Sequence, residues 1–305
     1  MDTQSSISGM HACGLAYAKI NISLDIVSKM DNGYHSLKTI MQSIDLCDEI
    51  TLKCVKNNKS RENNTYVIDP GLPFLPHDER NITVKAAKVF FDFYKITGYD
   101  VRIKVNKNIP VSAGLGGGSA DGACILRMLY KMFNIKPERN ELIDLGSAVG
   151  SDVPFCIFGG TMLAEGRGDI LTSVAPLPSC YFVVCKPFFS CSTPELFKRI
   201  IIKKIKLRPD TDFIISSLAN RDINGVARSM YNVFEDFMPS GSGEVEEIRC
   251  VMLDKGALAG MMTGSGPTVF GIFVSLSDAQ DAYQTLKQEY KDVFIAQPTN
   301  ELIKY

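Results

Sequence analysis

Residues 109–123 read IPVSAGLGGGSADGA, with four glycines in five positions, Gly114, Gly116, Gly117 and Gly118, and Ser119 directly after them. Glycine has no Cβ, so such a run enters φ > 0 conformations at little steric cost and lets backbone N–H groups converge on one point. The residues that follow carry Ala123, Ile125, Leu126, Met128 and Leu129, which predicts a helix over 120–133 with Ser119 as its N-cap. Amides at a helix N-terminus add to the positive end of the helix dipole, so loop and helix together make a cradle for a polyphosphate. A turn that binds nothing does not call for three consecutive glycines abutting a helix. The stretch therefore points to a nucleotide-binding enzyme.

Three common phosphate motifs fail on the residues. Gly117 and Gly122 meet the glycine spacing of GxxxxGK[ST], but Ala123 and Cys124 stand where Lys and Ser/Thr are needed. The dinucleotide fingerprint GxGxxG, begun at Gly114, has Ser119 at its third glycine. The VAIK, HRD and DFG segments of protein kinases do not occur.

The rest of the chain bounds the class. At 305 residues it has room for two domains. Its 45% hydrophobic and 22% charged residues are ordinary for a globular protein. Thirty-three basic against thirty-four acidic residues give a formal charge of −1, which argues against a nucleic-acid-binding surface. Apolar runs such as 181–185 and 269–274 fall far short of the roughly 18–20 residues of a membrane span. The opening MDTQSSISGMHACGLAY lacks a basic stretch followed by an apolar core, so it does not read as a secretory signal; it fits a leader, with Met10 as an alternative start. Nine cysteines without a CxxC pair argue against a disulfide framework and a zinc site, and fit a reducing cytoplasm. The three histidines, His11, His35 and His77, match no metal spacing.

Periodicity predicts strands at 16–27, 39–46, 48–55, 101–105, 155–158 and 161–165 in the first half, with a turn at Asp31-Asn32-Gly33 and loops at 56–64 and 72–80. Helices are expected from Asn81 towards Gly98, over 120–133 and over 138–149, the last closed by a left-handed Gly150. Gly168, Pro176 and Pro178 put a boundary within 167–178, giving domains 1–170 and 171–305. The second half predicts strands at 181–185, 259–262, 269–274 and 292–297. Helices are expected there at 194–201, 213–219, 223–230, 244–255 and 278–287, with turns at 239–241 and 263–268. Strands and helices do not alternate regularly, which favours α+β over a doubly wound parallel sheet.

The segment Pro110-Val111-Ser112-Ala113-Gly114-Leu115-Gly116-Gly117-Gly118-Ser119-Ala120 resembles the phosphate loop of the GHMP kinases, which act on small alcohols such as galactose, homoserine and mevalonate. AKINISL at 18–24 and TGSGPTVF at 263–270 resemble that family's first and third motifs, in the same order along the chain. The resemblance implies a two-domain α+β fold, with a ribosomal S5 domain 2-like N-terminal domain and a ferredoxin-like C-terminal domain. It implies ATP and Mg²⁺ as cofactors, with phosphates on the loop amides and the start of the helix at Ala120. Asn81 and Lys107 would flank the adenosine. Ser119 is the candidate Mg²⁺ ligand, though an N-cap role explains it equally well. Gly122 departs from the family's more usual alanine, at a cost of about 1 kcal/mol in helix propensity.

Two further clusters bear on the acceptor. In Asp31-Asn32-Gly33-Tyr34-His35, Tyr34 and His35 read either as a half-buried pair after a turn or as a ring that stacks on a base and an imidazole that binds its polar edge. Residues 18–50 resemble one subfamily of these kinases, which phosphorylates the 2-hydroxyl of a cytidine diphosphate methylerythritol. By that resemblance Tyr34 and His35 hold the cytosine, Phe197 covers its other face, and Asn21 contacts the substrate. In Gly150-Ser151-Asp152-Val153-Pro154, Asp152 reads either as an Asx-turn residue or as the carboxylate that takes a hydroxyl proton during phosphoryl transfer. The resemblance implies the second, with Lys19 as its charge partner rather than a snorkelling strand lysine. The expected partner is the small-molecule substrate, with neither nucleic acid nor membrane, and at most a second copy of the chain in a homodimer. The rival readings are a kinase for another small alcohol and a non-catalytic module of the same fold.

Overall fold

A computed structural model describes residues 9–31, 33–57, 63–239, 242–300 and 302–303. The two longest strands, β1 (Met10–Lys29) and β2 (His35–Lys56), pair antiparallel along their length. No Gly or Pro interrupts residues 35–56, so the two strands expected at 39–46 and 48–55 form one. The break survives as a bulge: between Tyr17↔Cys47 and Lys19↔Ser43, β2 advances four residues while β1 advances two. The other edge of β2 is shared by two partners further along the chain.

The first half continues with β3 (Thr65–Asp69), α1 (Ile82–Phe93), β4 (Tyr99–Asn106), α2 (Gly117–Met132), α3 (Arg139–Val149), α4 (Val153–Phe158), β5 (Thr161–Gly166) and β6 (Ile170–Ser173). Strand β4 pairs with the second half of β2 and β5 with the first half, while β3 lies parallel to β4 and β6 antiparallel to β5. Helices α1–α4 cover one face of this sheet, burying Phe90, Phe91, Leu126, Leu129, Phe155 and Phe158.

Several expectations are corrected here. Residues 155–158 are helical, not a strand; a short fully buried apolar run has no readable period, and Pro154 pre-sets the first turn of a helix. Helix α2 begins earlier than expected, with Gly116 as a left-handed N-cap, so Ser119 lies inside the first turn and caps nothing. Gly150 is extended (φ −177°), not left-handed. Strands β3 and β6 were not anticipated. Gly122 sits where a Cβ would come within 3.3 Å of both Ile82 and Val149, so it serves close packing of α2 on its neighbours. The turn residue Asn32, loop residues 58–62, turn residues 240 and 241 and residues 1–8 lie outside the described residues.

The second half comprises β7 (Tyr181–Lys186), α5 (Thr193–Arg199), α6 (Thr211–Ala219), α7 (Ile223–Arg228), α8 (Gly243–Asp254), β8 (Ala259–Met262), β9 (Val269–Phe273), α9 (Leu276–Lys287) and β10 (Asp292–Ala296). Its sheet has the order β10-β7-β9-β8, wholly antiparallel, which with α8 and α9 is the ferredoxin-like arrangement. The expected division at 170/171 falls inside β6, which belongs to the first sheet; we place it instead in the connection 174–180. Ile20, Ile22, Ile40 and Ile44 of the first sheet share one apolar cluster with Phe182, Phe270 and Ile272 of the second. This junction carries the polar residues described next. Among the described residues no helix is long and apolar enough to cross a membrane.

Candidate active site

The glycine loop is held from two sides. The Lys19 amide donates to the Leu115 carbonyl (2.9 Å), and the Thr268 amide donates to the Ala113 carbonyl (3.4 Å). Gly114 and Gly116 both have positive φ, 79° and 68°. A Cβ on Gly114 would overlap the Thr263 carbonyl oxygen, and one on Gly116 would lie 2.9 Å from Lys19 Cγ. The loop is therefore glycine-rich because two distant segments press against it. In the first turn of α2 the amides of Gly117, Gly118 and Ser119 have no intrahelical acceptor, whereas the Ala120 amide already bonds the Gly116 carbonyl (2.8 Å). Ala120 is buried in the core and does not belong to the cradle, a correction to the expected set.

These amides line a cavity of about 400 Å³ whose walls include Asn81, Lys107, Pro110, Gly114, Leu115 and Asp121. Asn81 caps α1 through Thr83 (3.0 Å) and donates to the Pro76 carbonyl (2.9 Å), so its amide is committed to the fold. Lys107 is committed too. Its ammonium bonds Asp48 and lies 2.9 Å from Asp121, and all three side chains are buried. Asp48 also accepts from the amides of Asn108 (2.6 Å) and Ile109 (2.8 Å), which anchors the strand end leading into the loop. Burial pushes the Asp121 carboxyl up to about 8, against the pull of Lys107. Burial opposes the Lys107 charge, but Asp121 and Asp48 outweigh it and raise the ammonium.

A second cavity, about 740 Å³, adjoins the first and shares Ser112, Gly114 and Gly116 with it. Lys19 and Asp152 meet at this seam, 3.7 Å apart, with Lys19 buried and Asp152 partly exposed. Asp152 begins α4 without capping it, so its carboxylate is free to face the cleft. Lys19 donates to Asn21 (2.8 Å), and Asn21 donates to Thr39 (2.8 Å), which donates to the Ser23 carbonyl (2.5 Å). The Asn21 amide donates to the Thr263 hydroxyl (3.0 Å). The chain of bonds fixes the lysine and ties the 18–24 segment to the 263–270 segment, while the Lys19 amide's bond to Leu115 adds the glycine loop.

The floor of this cleft is one face of β2, Leu37, Thr39 and Met41, running away from the seam. Near its far end His35 stacks on Phe197, ring centroids 5.3 Å apart. Burial and Lys29 lower the His35 pKa, which favours the neutral imidazole. Tyr34 is exposed, with the Arg167 guanidinium 5.3 Å from its ring centre. The structure thus brings Lys19, Asn21 and Asp152 to one end and His35, Phe197 and Tyr34 to the other. Thr39, Thr263, Asp48, Asp121 and Arg167 were not anticipated. The alternation of Leu37, Thr39 and Met41 was a readable signal for Thr39; the others depend on long-range contacts.

Gly114→Ala should weaken ATP binding at least about tenfold in calorimetric titration, because a left-handed residue with a Cβ costs about 1–2 kcal/mol and must also displace Thr263. Wild-type affinity in that variant would show that the contact between the two loops does not shape the cradle.

Residues 81–160 match the GHMP kinases N terminal domain, and residues 214–292 match the GHMP kinases C terminal domain. The chain belongs to the GHMP kinases. It is 44% identical over 280 residues to a 4-diphosphocytidyl-2-C-methyl-D-erythritol kinase of Clostridium botulinum (strain Eklund 17B / Type B), covering 92% of this chain and 97% of that one. A solved structure of 4-(cytidine 5'-diphospho)-2C-methyl-D-erythritol kinase superposes with a TM-score of 0.78 at 26% identity, over 95% of this chain and 100% of that one. A homoserine kinase from Cytophaga hutchinsonii shares the fold, with a TM-score of 0.70 at 20% identity over 99% and 98% of the two chains.

Proposed function

We infer that the chain transfers the γ-phosphoryl group of ATP to the 2-hydroxyl of 4-diphosphocytidyl-2-C-methyl-D-erythritol, giving ADP and the 2-phosphate for isoprenoid precursor synthesis by the non-mevalonate route. One observation carries this reading: the Lys19–Asp152 pair stands where a phosphate cradle meets a cleft that leads to the His35–Phe197 rings.

ATP lies with its phosphates on the amides of Gly117, Gly118 and Ser119, at the positive end of α2. Asp152 accepts the proton of the 2-hydroxyl as that oxygen attacks the γ-phosphorus in line. The bond to the β–γ bridging oxygen breaks and ADP leaves. The Lys19 ammonium, 3.7 Å from Asp152, offsets the negative charge that gathers when carboxylate, alkoxide and phosphates converge. Asn21 and Thr39 hold it in place, so little reorganisation is needed during transfer.

At the far end a neutral His35 offers one donor and one acceptor to the polar edge of cytosine. Tyr34 and Phe197 cover the two faces of the base while His35 meets its edge, so Phe197, whose ring stacks on His35 with centroids 5.3 Å apart, must part from it to admit the base. Phe197 lies on the short helix α5, so this opening requires a shift of that helix or of the Phe197 side chain.

Mg²⁺ fits this site as an ion carried by the nucleotide. Among the described residues no cluster of three or more His, Cys, Asp or Glu side chains stands ready to hold a metal, while the Ser119 hydroxyl and Asp152 line the two cavities. When bound, the ion would neutralise charge on the phosphate oxygens. The partners in this reading are small molecules, and the setting is a reducing cytoplasm, supported by nine cysteines without a CxxC pair.

Coupled ADP release over a panel of alcohols tests the substrate. The cytidine diphosphate compound should turn over with homoserine and mevalonate inactive; turnover of either of those alone would overturn the assignment.

A further inference from the structure

The proposed acceptor carries a diphosphate between its nucleoside and its reacting alcohol, and that diphosphate needs a counter-charge in the cleft. Among the described residues lining the cleft, Lys19 and Arg167 are the Lys and Arg side chains, and Lys19 is bound to Asn21 and Asp152 at the reacting end. Arg167 opens the turn between β5 and β6. Its position there is set by Gly166 pairing with Leu37, by its own amide donating to Asp169 (3.0 Å), and by the Gly168 amide donating to the Glu165 carbonyl (3.0 Å). The register places it beside His35–Leu37, one end of the floor strand. Met41, which pairs with Asn21, lies four residues on, about 13 Å at strand spacing. That span suits a nucleoside at one end and an alcohol at the other.

The guanidinium itself is lightly held. Its Nε lies 3.7 Å from Asp169, a single contact between partly exposed groups, and its carbon lies 5.3 Å from the centre of the Tyr34 ring. Exposed ion pairs of this kind are weak, whereas a guanidinium facing a diphosphate makes two parallel charge-assisted hydrogen bonds. Glu195 lines the same cleft, and its negative charge makes a counter-charge at Arg167 the more necessary for a diphosphate.

We propose that Arg167 binds the diphosphate of the acceptor and so selects nucleoside-diphosphate-linked alcohols over simple ones. This rests on the function inferred above. The guanidinium turns from Asp169 onto the phosphate oxygens while remaining over the Tyr34 ring, which couples recognition of the base to recognition of the diphosphate. Small alcohols gain nothing from this contact.

The test is calorimetric binding of cytidine, cytidine monophosphate and cytidine diphosphate to the full chain, to Arg167→Gln and to Arg167→Lys. Wild type should bind the diphosphate more tightly than cytidine. Arg167→Gln should lose about 10–100-fold in diphosphate affinity with cytidine affinity changed by less than about twofold, and Arg167→Lys should recover part of the loss. In turnover, KM for the full acceptor should rise more than kcat falls. Equal losses for cytidine and its diphosphate, or no loss for either, would overturn the proposal and leave the kinase assignment standing. Wild type that binds none of the three ligands would overturn the cytidine reading itself, and this proposal with it.

Discussion

Asp152→Asn is expected to lower kcat by about 10²–10⁴-fold while leaving ATP affinity within about twofold. The substitution keeps the shape of the side chain and removes only its charge and proton affinity. Asp152 caps no helix through its side chain, so α4 should form as before. What is lost is the acceptor for the hydroxyl proton and the partner that faces Lys19 across 3.7 Å. ADP release measures kcat, and calorimetry with ATP alone measures the cradle. Near-normal turnover with unaltered ATP binding would show that Asp152 is not the base.

Lys107→Ala is expected to destabilise the fold by about 3–5 kcal/mol, read as a lower midpoint in urea unfolding. Lys107 lies between Asp48 and Asp121, with side chains at most 7% exposed, so its removal strands buried carboxylate charge. Burial keeps a proton on Asp121, whose carboxyl it raises to about 8. Pairing Lys107→Ala with Asp48→Asn in a double-mutant cycle should cost less than the sum of the two single changes. Additive losses would show that the pair does not interact. The same group sets a pH dependence. Folded Asp121 keeps a proton that the unfolded chain releases above about pH 4, so its contribution is full below pH 4 and is lost as pH rises towards 8. Asp121→Asn should therefore flatten the fall in Tm between pH 5 and pH 8. An equally steep fall in that variant would contradict this assignment.

What the sequence made legible divides along a physical line. The glycine loop can be read locally because its function is carried by consecutive backbone amides, and the α+β class follows from the irregular order of strands and helices. Residues 155–158 misled because a four-residue apolar run buries equally well as strand or helix. Ser119 had the chemistry of an N-cap, yet Gly116 can take a left-handed φ and starts the helix one turn sooner. Lys19 and Asp152 were named by resemblance, and only the fold brings them together at the seam between two cavities. Asn81 and Lys107, which the resemblance puts beside the adenosine, line the cavity at the glycine loop, but their polar groups are spent on Thr83, Pro76, Asp48 and Asp121. Asp48 lies 59 residues before Lys107, and Thr263 lies 242 residues after Asn21, separations over which no local pattern can speak. Arg167 was hidden for the opposite reason. It sits in an ordinary turn, and its interest arises only from what the cleft otherwise lacks.

The most direct measurement is phosphorus NMR of the purified chain incubated with ATP, Mg²⁺ and 4-diphosphocytidyl-2-C-methyl-D-erythritol. The expected result is a new phosphomonoester signal growing in step with ADP, with the diphosphate signals of the acceptor retained and the signal absent with Asp152→Asn. ADP formed without that phosphomonoester, or no consumption of ATP in the presence of this acceptor, would contradict the assignment.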